Sequence, residues 1–163
     1  MLELTLVRHA KSSWADAGQR DFDRPLNPRG ERDAPRMAQW TARHLSPPDL
    51  IVSSPAQRAL STARVFAAVL GIVDSRLRLE PGIYEASADT LMGILCMLDA
   101  AHRRVMLFGH NPGISELAQR LGDGTCDELP TCALASFSLC VTRWIDLADG
   151  SGKLQHLMTP KQL

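Results

Sequence analysis

Residues 4–10, Leu-Thr-Leu-Val-Arg-His-Ala, form the stretch of sequence that decides the fold. The run Leu4–Val7 is short and apolar and contains β-branched residues, which predicts a buried strand. Arg8 and His9 follow where that strand should end. Ligands of open α/β sheets bind beyond the carboxyl ends of the parallel strands. Arg8 and His9 are therefore the first candidates for a functional site.

The rest of the chain alternates strands and helices outward from this point, which predicts an α/β fold with a mostly parallel sheet. Predicted strands are Asp49–Val52, Leu77–Leu79 and Arg104–Phe108, followed by Ala135–Val141 and Leu154–Leu157 as antiparallel edge strands. Predicted helices are Gly30–His44, a helix ending at Leu70, Ala88–Ala101, and a short helix ending at Leu121. Ser54 is the predicted N-cap of the second helix, with Pro55 at its first position. The length of 163 residues predicts a single domain over residues 1–163.

Composition excludes several classes of function. The 18 basic and 18 acidic residues give zero net charge, which argues against a nucleic-acid binder that relies on bulk charge. The longest apolar run, about Val65 to Val73, is too short to span a membrane, and the N-terminus lacks the apolar segment of a signal peptide. The four cysteines form no C-x-x-C pair, so we expect buried thiols and no zinc site. These features predict a soluble cytoplasmic protein and leave its oligomeric state open.

Two further strand ends carry groups of the same chemistry. Arg58 lies in the first turn of the helix after the second strand, and His110 follows the strand Arg104–Phe108. Each residue alone is more often structural than catalytic. Together with Arg8 and His9, they would form an electropositive site that suits a phosphoryl group, because arginine binds two oxygens at once.

Three segments carry a resemblance to a known family. LTLVRHAKSSW (4–14) resembles the Arg-His-Gly motif of the histidine phosphatase, or phosphoglycerate-mutase-like, superfamily, with Ala10 in place of glycine. SSPAQRALSTA (53–63) resembles its second-arginine segment and VMLFGHNPGISELAQRL (105–121) its second-histidine segment. With DFDRPLNPRG (21–30) and LMTPKQL (157–163), the chain is most similar to the SixA-like phosphohistidine phosphatases of branch 1.

The resemblance implies a three-layer α/β/α sandwich and a phosphatase reaction. His9 would accept the phosphoryl group, Arg8, Arg58 and His110 would bind its oxygens, and water would hydrolyse the phosphohistidine. No metal or cofactor is implied, because the cationic side chains stabilise the charge. A nucleophilic histidine must be neutral, whereas His110 would help most as a charged donor, so we expect different environments for the two rings.

The proton donor and the substrate are connected questions. An ester leaving group requires a general acid, for which Glu85 is the candidate and Glu80 a weaker one; Glu85 as a solvated or helix-capping residue is equally plausible. A phosphohistidine substrate needs less assistance, because imidazole has a pKa of about 6.5 and leaves easily. The short chain has little room for a lid, so we expect an open site for a phosphorylated protein or small phosphomonoesters.

Other assignments stay open at this point. Lys11, Ser12 and Arg24 lie on loops near the site, and we expect them to be solvated rather than ligand-contacting. A phosphoglycerate-mutase-type phosphotransferase is one alternative, although it would have to shield the phosphohistidine from water. A non-catalytic phosphate-binding module is the other.

Overall fold

The alternation of strands and helices folds into one six-stranded sheet with helices on both faces. The computed structural model describes all of residues 1–163. The strands are β1 (Leu2–Arg8), β2 (Leu50–Ser53), β3 (Leu77–Leu79), β4 (Arg104–Gly109), β5 (Leu134–Leu139) and β6 (Gly152–Met158). The helices are α1 (Pro28–His44), α2 (Gln57–Leu70), α3 (Ala88–Cys96) and α4 (Gly113–Leu121).

The sheet has the strand order β3-β2-β4-β1-β5-β6. The pairs β3–β2, β2–β4 and β4–β1 are parallel, and β5 is antiparallel to both β1 and β6. Every strand except β5 therefore points the same way, and the predicted α/β fold with a mostly parallel sheet is confirmed. The prediction of two antiparallel edge strands is half wrong, since only β6 is an edge. β5 lies inside the sheet because it pairs with β1 from Leu2 to Val7.

Alternate residues of β1 face opposite sides of the sheet and supply two separate cores. Val7 packs with Phe66 and Phe108 in the core beneath α1 and α2. Leu4 and Leu6 pack in the core beneath α3 and α4. This arrangement is the three-layer sandwich that the resemblance implied. No helix of the protein combines the length and the hydropathy that a membrane span requires.

Three predicted helix boundaries were wrong. The helix predicted from Ser54 starts at Gln57, because Ala56 has an extended ψ of 136° and cannot begin an α-helix. The helix predicted to reach Ala101 stops at Cys96, where Met97 takes a ψ of 0° and bonds to the carbonyls of Ile94 and Leu95. α1 begins two residues early, at Pro28, because the side chain of Asn27 accepts a hydrogen bond from Gly30 N–H.

The cysteines only partly match their prediction. All four are free thiols; Cys126 and Cys132 are buried, Cys96 is half-buried and Cys140 is exposed. Cys140 follows the last residue of β5 and so lies beyond the sheet interior.

Candidate functional site

The carboxyl ends of β1 and β4 bring the two histidines together. The strands pair in parallel up to Arg8 and Gly109, so the residues that follow, His9 and His110, are neighbours. Their ring centroids lie 5.2 Å apart. Arg58 comes from the first turn of α2, and the charges of Arg8 and Arg58 act on both rings. The structure therefore brings all four predicted residues to one place.

His9 is buried and has one nitrogen committed to the backbone. Its Nδ1 donates a hydrogen bond of 2.8 Å to the carbonyl oxygen of Ala10, which can only accept. Burial lowers the pKa of His9 to about 3, and the positive charges of Arg58 and Arg8 act in the same direction. The ring is therefore neutral near pH 7, with its proton on Nδ1 and a lone pair on Nε2. A neutral ring with a free Nε2 is the form that can attack phosphorus.

His110 is buried beside His9 and is held by a serine. Its Nε2 lies 2.8 Å from Ser54 Oγ, which also accepts a hydrogen bond from Ala56 N–H. We assign the tautomer in which the Ser54 hydroxyl donates to His110 Nε2, so that the neutral ring carries its own proton on Nδ1. Burial and the charge of Arg58 lower the pKa of His110 to about 4. The expectation that His110 is charged is therefore wrong for the protein without substrate.

Both arginines are anchored through terminal nitrogens of the guanidinium, Arg8 through one and Arg58 through two. Arg8 donates from Nη1 to the carbonyl oxygen of Leu129 (2.9 Å). Arg58 donates from Nη1 to the carbonyl oxygen of Asp21 (2.7 Å) and from Nη2 to its carboxylate (3.0 Å). In both side chains Nε is buried and has no partner. Each guanidinium is thus fixed by its terminal nitrogens and keeps its Nε–H donor unused.

Unused donors are concentrated at this site. Only four buried side-chain nitrogen or oxygen atoms in the protein lack a hydrogen-bond partner, and three of them are Arg8 Nε, Arg58 Nε and His110 Nδ1. An unpaired buried donor costs about 1–3 kcal/mol. All three belong to the residues clustered around His9, and N–H groups of arginine and histidine are donors of the kind that bind the oxygens of an anion such as a phosphoryl group.

Backbone contacts hold the segment that carries His9. Cys132 has a left-handed φ of 63°, and its N–H donates to the carbonyl oxygens of both Arg8 and His9. Thr62 Oγ1 accepts a hydrogen bond from Ala10 N–H (3.0 Å). The sheet and α2 therefore fix the backbone on both sides of the histidine. Burial raises the pKa of the Cys132 thiol to about 12, so the thiol stays protonated and unreactive.

Glu85 is placed differently from the four clustered residues. It lies in the turn between β3 and α3, has a left-handed φ of 57°, and is exposed. Its carboxylate makes no hydrogen bond with the protein, so its role as proton donor stays a prediction. Glu80, the weaker candidate, accepts a hydrogen bond from Gly82 N–H and caps a short 3₁₀ turn.

The loop residues near the site were predicted wrongly in two of three cases. Lys11 is exposed, as expected for a solvated lysine. Ser12 and Arg24 are each 7% exposed, and they bond to one another through Arg24 Nη1 and Ser12 Oγ at 2.7 Å. Arg24 also donates from Nε to Asp21 Oδ1 at 3.0 Å. Arg24 is thus a buried cation beside the site and not a solvated rim residue.

Three further residues of the site were not predicted as site residues from the sequence. Asp21 binds Arg58 and Arg24, Tyr84 donates its hydroxyl to Asp21 (2.7 Å), and Ser54 binds His110. Asp21 falls in a polar loop and Tyr84 in a short turn, where neither periodicity nor spacing singles out a residue. Ser54 does sit at a strand end, which is the one available signal, but the serine–proline pair there favours a helix cap.

The surroundings of the site contain no metal-ligand cluster. No three His, Cys, Asp or Glu side chains converge in a way that could hold a metal ion. The charged groups around the histidines are arginines and one aspartate.

Comparison with known proteins gives the family. The profile of the histidine phosphatase superfamily (branch 1) matches residues 4–95. An uncharacterized chloroplastic protein of Arabidopsis thaliana is 33% identical over 169 residues, which cover 96% of this chain and 77% of that protein.

Two solved structures have the same fold as this chain. A protein of Agrobacterium tumefaciens assigned as the phosphohistidine phosphatase SixA is 28% identical, with a TM-score of 0.82 and 98% of both chains covered. A protein of Nakamurella multipartitia with the same assignment is 29% identical, with a TM-score of 0.78 over 98% of this chain and 96% of that one. The chain belongs to branch 1 of the histidine phosphatase superfamily and is SixA-like within it.

Proposed function

We propose that this protein is a metal-independent phosphatase that transfers a phosphoryl group first to His9 and then to water. The observation that carries the proposal is the set of three unused donors, Arg8 Nε, Arg58 Nε and His110 Nδ1, beside a neutral His9. Donors that lack partners in the free protein are satisfied when a phosphoryl group binds. The site is thus organised before the substrate arrives, which is the basis of electrostatic catalysis.

In the first step, His9 Nε2 attacks the phosphorus and forms an N–P bond, while the bond to the leaving group breaks. The leaving group departs with the electron pair of that bond. Arg8 and Arg58 stabilise the negative charge on the equatorial oxygens in the transition state. Nδ1 stays bonded to the carbonyl of Ala10, which holds the ring in place and stabilises the positive charge that develops on it.

In the second step, water attacks the phosphorus, the N–P bond breaks, and His9 recovers its lone pair. One proton of the water passes to a phosphoryl oxygen, and inorganic phosphate leaves as the dihydrogen form. We propose that no lid covers the site and that water reaches the phosphohistidine directly. A mutase has to exclude that water, so such a site would favour hydrolysis over transfer to a second substrate.

The groups around the site favour a substrate with a good leaving group, and we propose protein phosphohistidine as the preferred class. Hydrogen bonds from Tyr84 and Arg58 lower the pKa of Asp21 to about 2, so Asp21 is ionised and cannot supply a proton. Glu85 is exposed and unpartnered. Phosphohistidine releases an imidazole with a pKa of about 6.5 and depends little on a donor. The SixA assignment of two structural relatives supports this choice.

The test is turnover of an aryl phosphate and of a phosphohistidine-bearing protein, each with and without EDTA. We expect EDTA-resistant hydrolysis of both that disappears in His9→Ala and persists in His44→Ala, which removes an exposed histidine. Quenching during turnover with alkaline detergent, in which the N–P bond of phosphohistidine survives although acid hydrolyses it, should trap phosphate on the wild-type protein and not on His9→Ala. Loss of activity with EDTA, or activity in His9→Ala, would contradict the mechanism.

The two alternatives give different results in the same experiment. A phosphotransferase would move the phosphoryl group to an added acceptor faster than to water. A non-catalytic module would bind phosphate and release none from either substrate.

A further inference from the structure

We propose that Asp21 is a positioning residue that holds Arg58 with its Nε edge turned toward the phosphoryl group. The inference rests on the proposed function and adds a specific residue to it. Asp21 lies in the loop between β1 and α1, within a short 3₁₀ turn over Asp21–Asp23. It is 37 residues from Arg58 in the sequence, yet it makes every hydrogen bond that the Arg58 guanidinium has.

The donors of Arg58 divide into a held end and a free edge. A guanidinium has five N–H groups, of which one is on Nε and two are on each terminal nitrogen. Asp21 accepts a hydrogen bond from Arg58 Nη1 through its backbone carbonyl oxygen and one from Arg58 Nη2 through its carboxylate. One residue therefore binds both terminal nitrogens of Arg58. Nε–H and one N–H on each terminal nitrogen remain. The Nε–Nη2 edge is the side of arginine that can bind two phosphoryl oxygens together, and Nε is unpartnered here.

Charge is the second reason why Asp21 matters. The guanidinium of Arg24 donates from Nε to Asp21 Oδ1, while Arg58 donates to Oδ2, so one carboxylate separates two buried cations. Both arginine side chains are only 8% exposed. Without the carboxylate, two buried guanidinium groups would face each other with no counter-charge, which is strongly unfavourable. Arg58 would then turn away from its present orientation.

Asp21 also connects this arginine pair to His110. The hydroxyl of Tyr84 donates to Asp21 Oδ2 at 2.7 Å, and the Tyr84 ring packs edge-on against His110 at 5.6 Å between centroids. One carboxylate thus ties the loop before α1, the start of α2 and the turn after β3 to each other. These three segments surround the phosphate-binding groups.

The chain offers a matched control within the same turn. Asp23 has the same side-chain exposure as Asp21, 43%, but pairs only with the surface residue Arg20. We expect Asp21→Asn to lower kcat/KM by on the order of 10- to 100-fold and Asp23→Asn to leave it unchanged. Asp21→Glu keeps the charge but lengthens the side chain by one methylene, so it should also lose activity by displacing Arg58 while the fold is retained.

A double-mutant cycle distinguishes positioning from a general structural role. If Asp21 acts through Arg58, Asp21→Asn should have little further effect in an Arg58→Lys background, because the oriented guanidinium is already gone. Equal losses in both backgrounds would overturn the inference, as would wild-type activity in both Asp21 variants.

Phosphate binding gives a measurement that does not depend on turnover. Calorimetry with inorganic phosphate should show weaker binding to Asp21→Asn than to wild type and to Asp23→Asn. Tighter binding to Asp21→Asn would mean that Asp21 competes with phosphate for Arg58, and it would refute positioning. If the wild type binds phosphate but turns nothing over, the proposed function fails while the inference is still tested by these affinities.

Discussion

Arg8, His9, Arg58 and His110, here called the floor of the site, and the turn that carries Glu85, here called the rim, are built in different ways. Arg8, Arg58 and the two histidines stand on strand ends and on the first turn of a helix, and each has at least one hydrogen bond that fixes it. Glu85 stands on a turn, exposed to solvent, with no hydrogen bond to its carboxylate. The groups proposed to bind the phosphoryl oxygens are each held by a hydrogen bond, whereas the carboxylate of the candidate acid is held by none.

This difference bears on which substrates the protein can use. Binding and charge stabilisation act on any phosphoryl group, whereas proton donation matters only for a poor leaving group. Preorganised donors contribute most when nothing has to reorganise during the reaction. A site whose floor is held by hydrogen bonds and whose candidate acid is not should therefore discriminate between substrates by their leaving groups more than by the shape of the substrate.

The largest expected effect comes from removing part of the floor. Arg8→Ala deletes a donor whose Nε is buried and unpartnered in the free protein. We expect kcat/KM for an aryl phosphate to fall by about 10²–10³-fold, as for loss of a transition-state donor elsewhere. Steady-state kinetics measures the loss, and an equal loss on an alkyl phosphate would show that the floor acts independently of the leaving group.

Exposed arginines provide the control for that experiment. Arg143 pairs only with Asp146 on the surface, far along the chain from the motif, so Arg143→Ala should leave kcat/KM unchanged. If Arg8→Ala lowered kcat/KM for the aryl phosphate by less than about tenfold, the floor would not be the main source of transition-state stabilisation.

The floor could be predicted from the sequence because its parts are tied to secondary structure. The strand ends at Arg8 and at Gly109, and the first turn of α2, follow from short apolar runs and the helix after them. Parallel pairing then places those ends at one edge of the sheet. A prediction that depends only on where elements end survives errors of two or three residues in their boundaries, such as the late start of α2.

The rest depends on side chains that meet across long distances in the sequence. Asp21 meets Tyr84 across 63 residues, and Ser54 meets His110 across 56. Arg24 was expected in solvent and is buried because Asp21 and Ser12 surround its guanidinium. No periodic pattern encodes contacts of this kind, since each depends on how two loops pack. The charge state of His110 was missed for the same reason, because it follows from burial.

The second prediction uses acid to compare the buried floor with the exposed surface. The folded protein holds the pKa of His9 at about 3 and that of His110 at about 4, whereas histidine in an unfolded chain titrates near 6.5. Below pH 6.5 these histidines bind protons in the unfolded chain but stay neutral in the folded protein, so stability falls as the pH drops toward 4. Between about pH 6.5 and pH 4, each histidine should lower the free energy of unfolding by about 1.4 kcal/mol per pH unit.

Urea unfolding at pH 7.5 and 5.5 measures this effect. His9→Asn should lose less stability between the two pH values than wild type, by about 1.4 kcal/mol, because only the unit below 6.5 counts. His44→Asn removes an exposed histidine and should behave as wild type. A wild-type difference no larger than that of His9→Asn would mean that the floor is not held neutral by burial.

The smallest expected effect is that of Glu85→Gln, which tests whether the rim takes part in proton donation. Glu85→Gln removes the proton and keeps the shape of an exposed side chain. We expect a loss of roughly tenfold on an alkyl phosphate, well below the about 10²–10⁴-fold of a well-positioned general acid, and no change on an aryl phosphate or a phosphohistidine protein. Kinetics on the three substrates in parallel measures the difference, with Glu80→Gln as the control, since Glu80 caps a turn.

A loss of about 10³-fold confined to the alkyl phosphate would show that substrate binding orders the rim and makes Glu85 a full proton donor. Equal losses on all three substrates would remove Glu85 from the chemistry and leave the arginine and histidine floor as the whole catalytic apparatus.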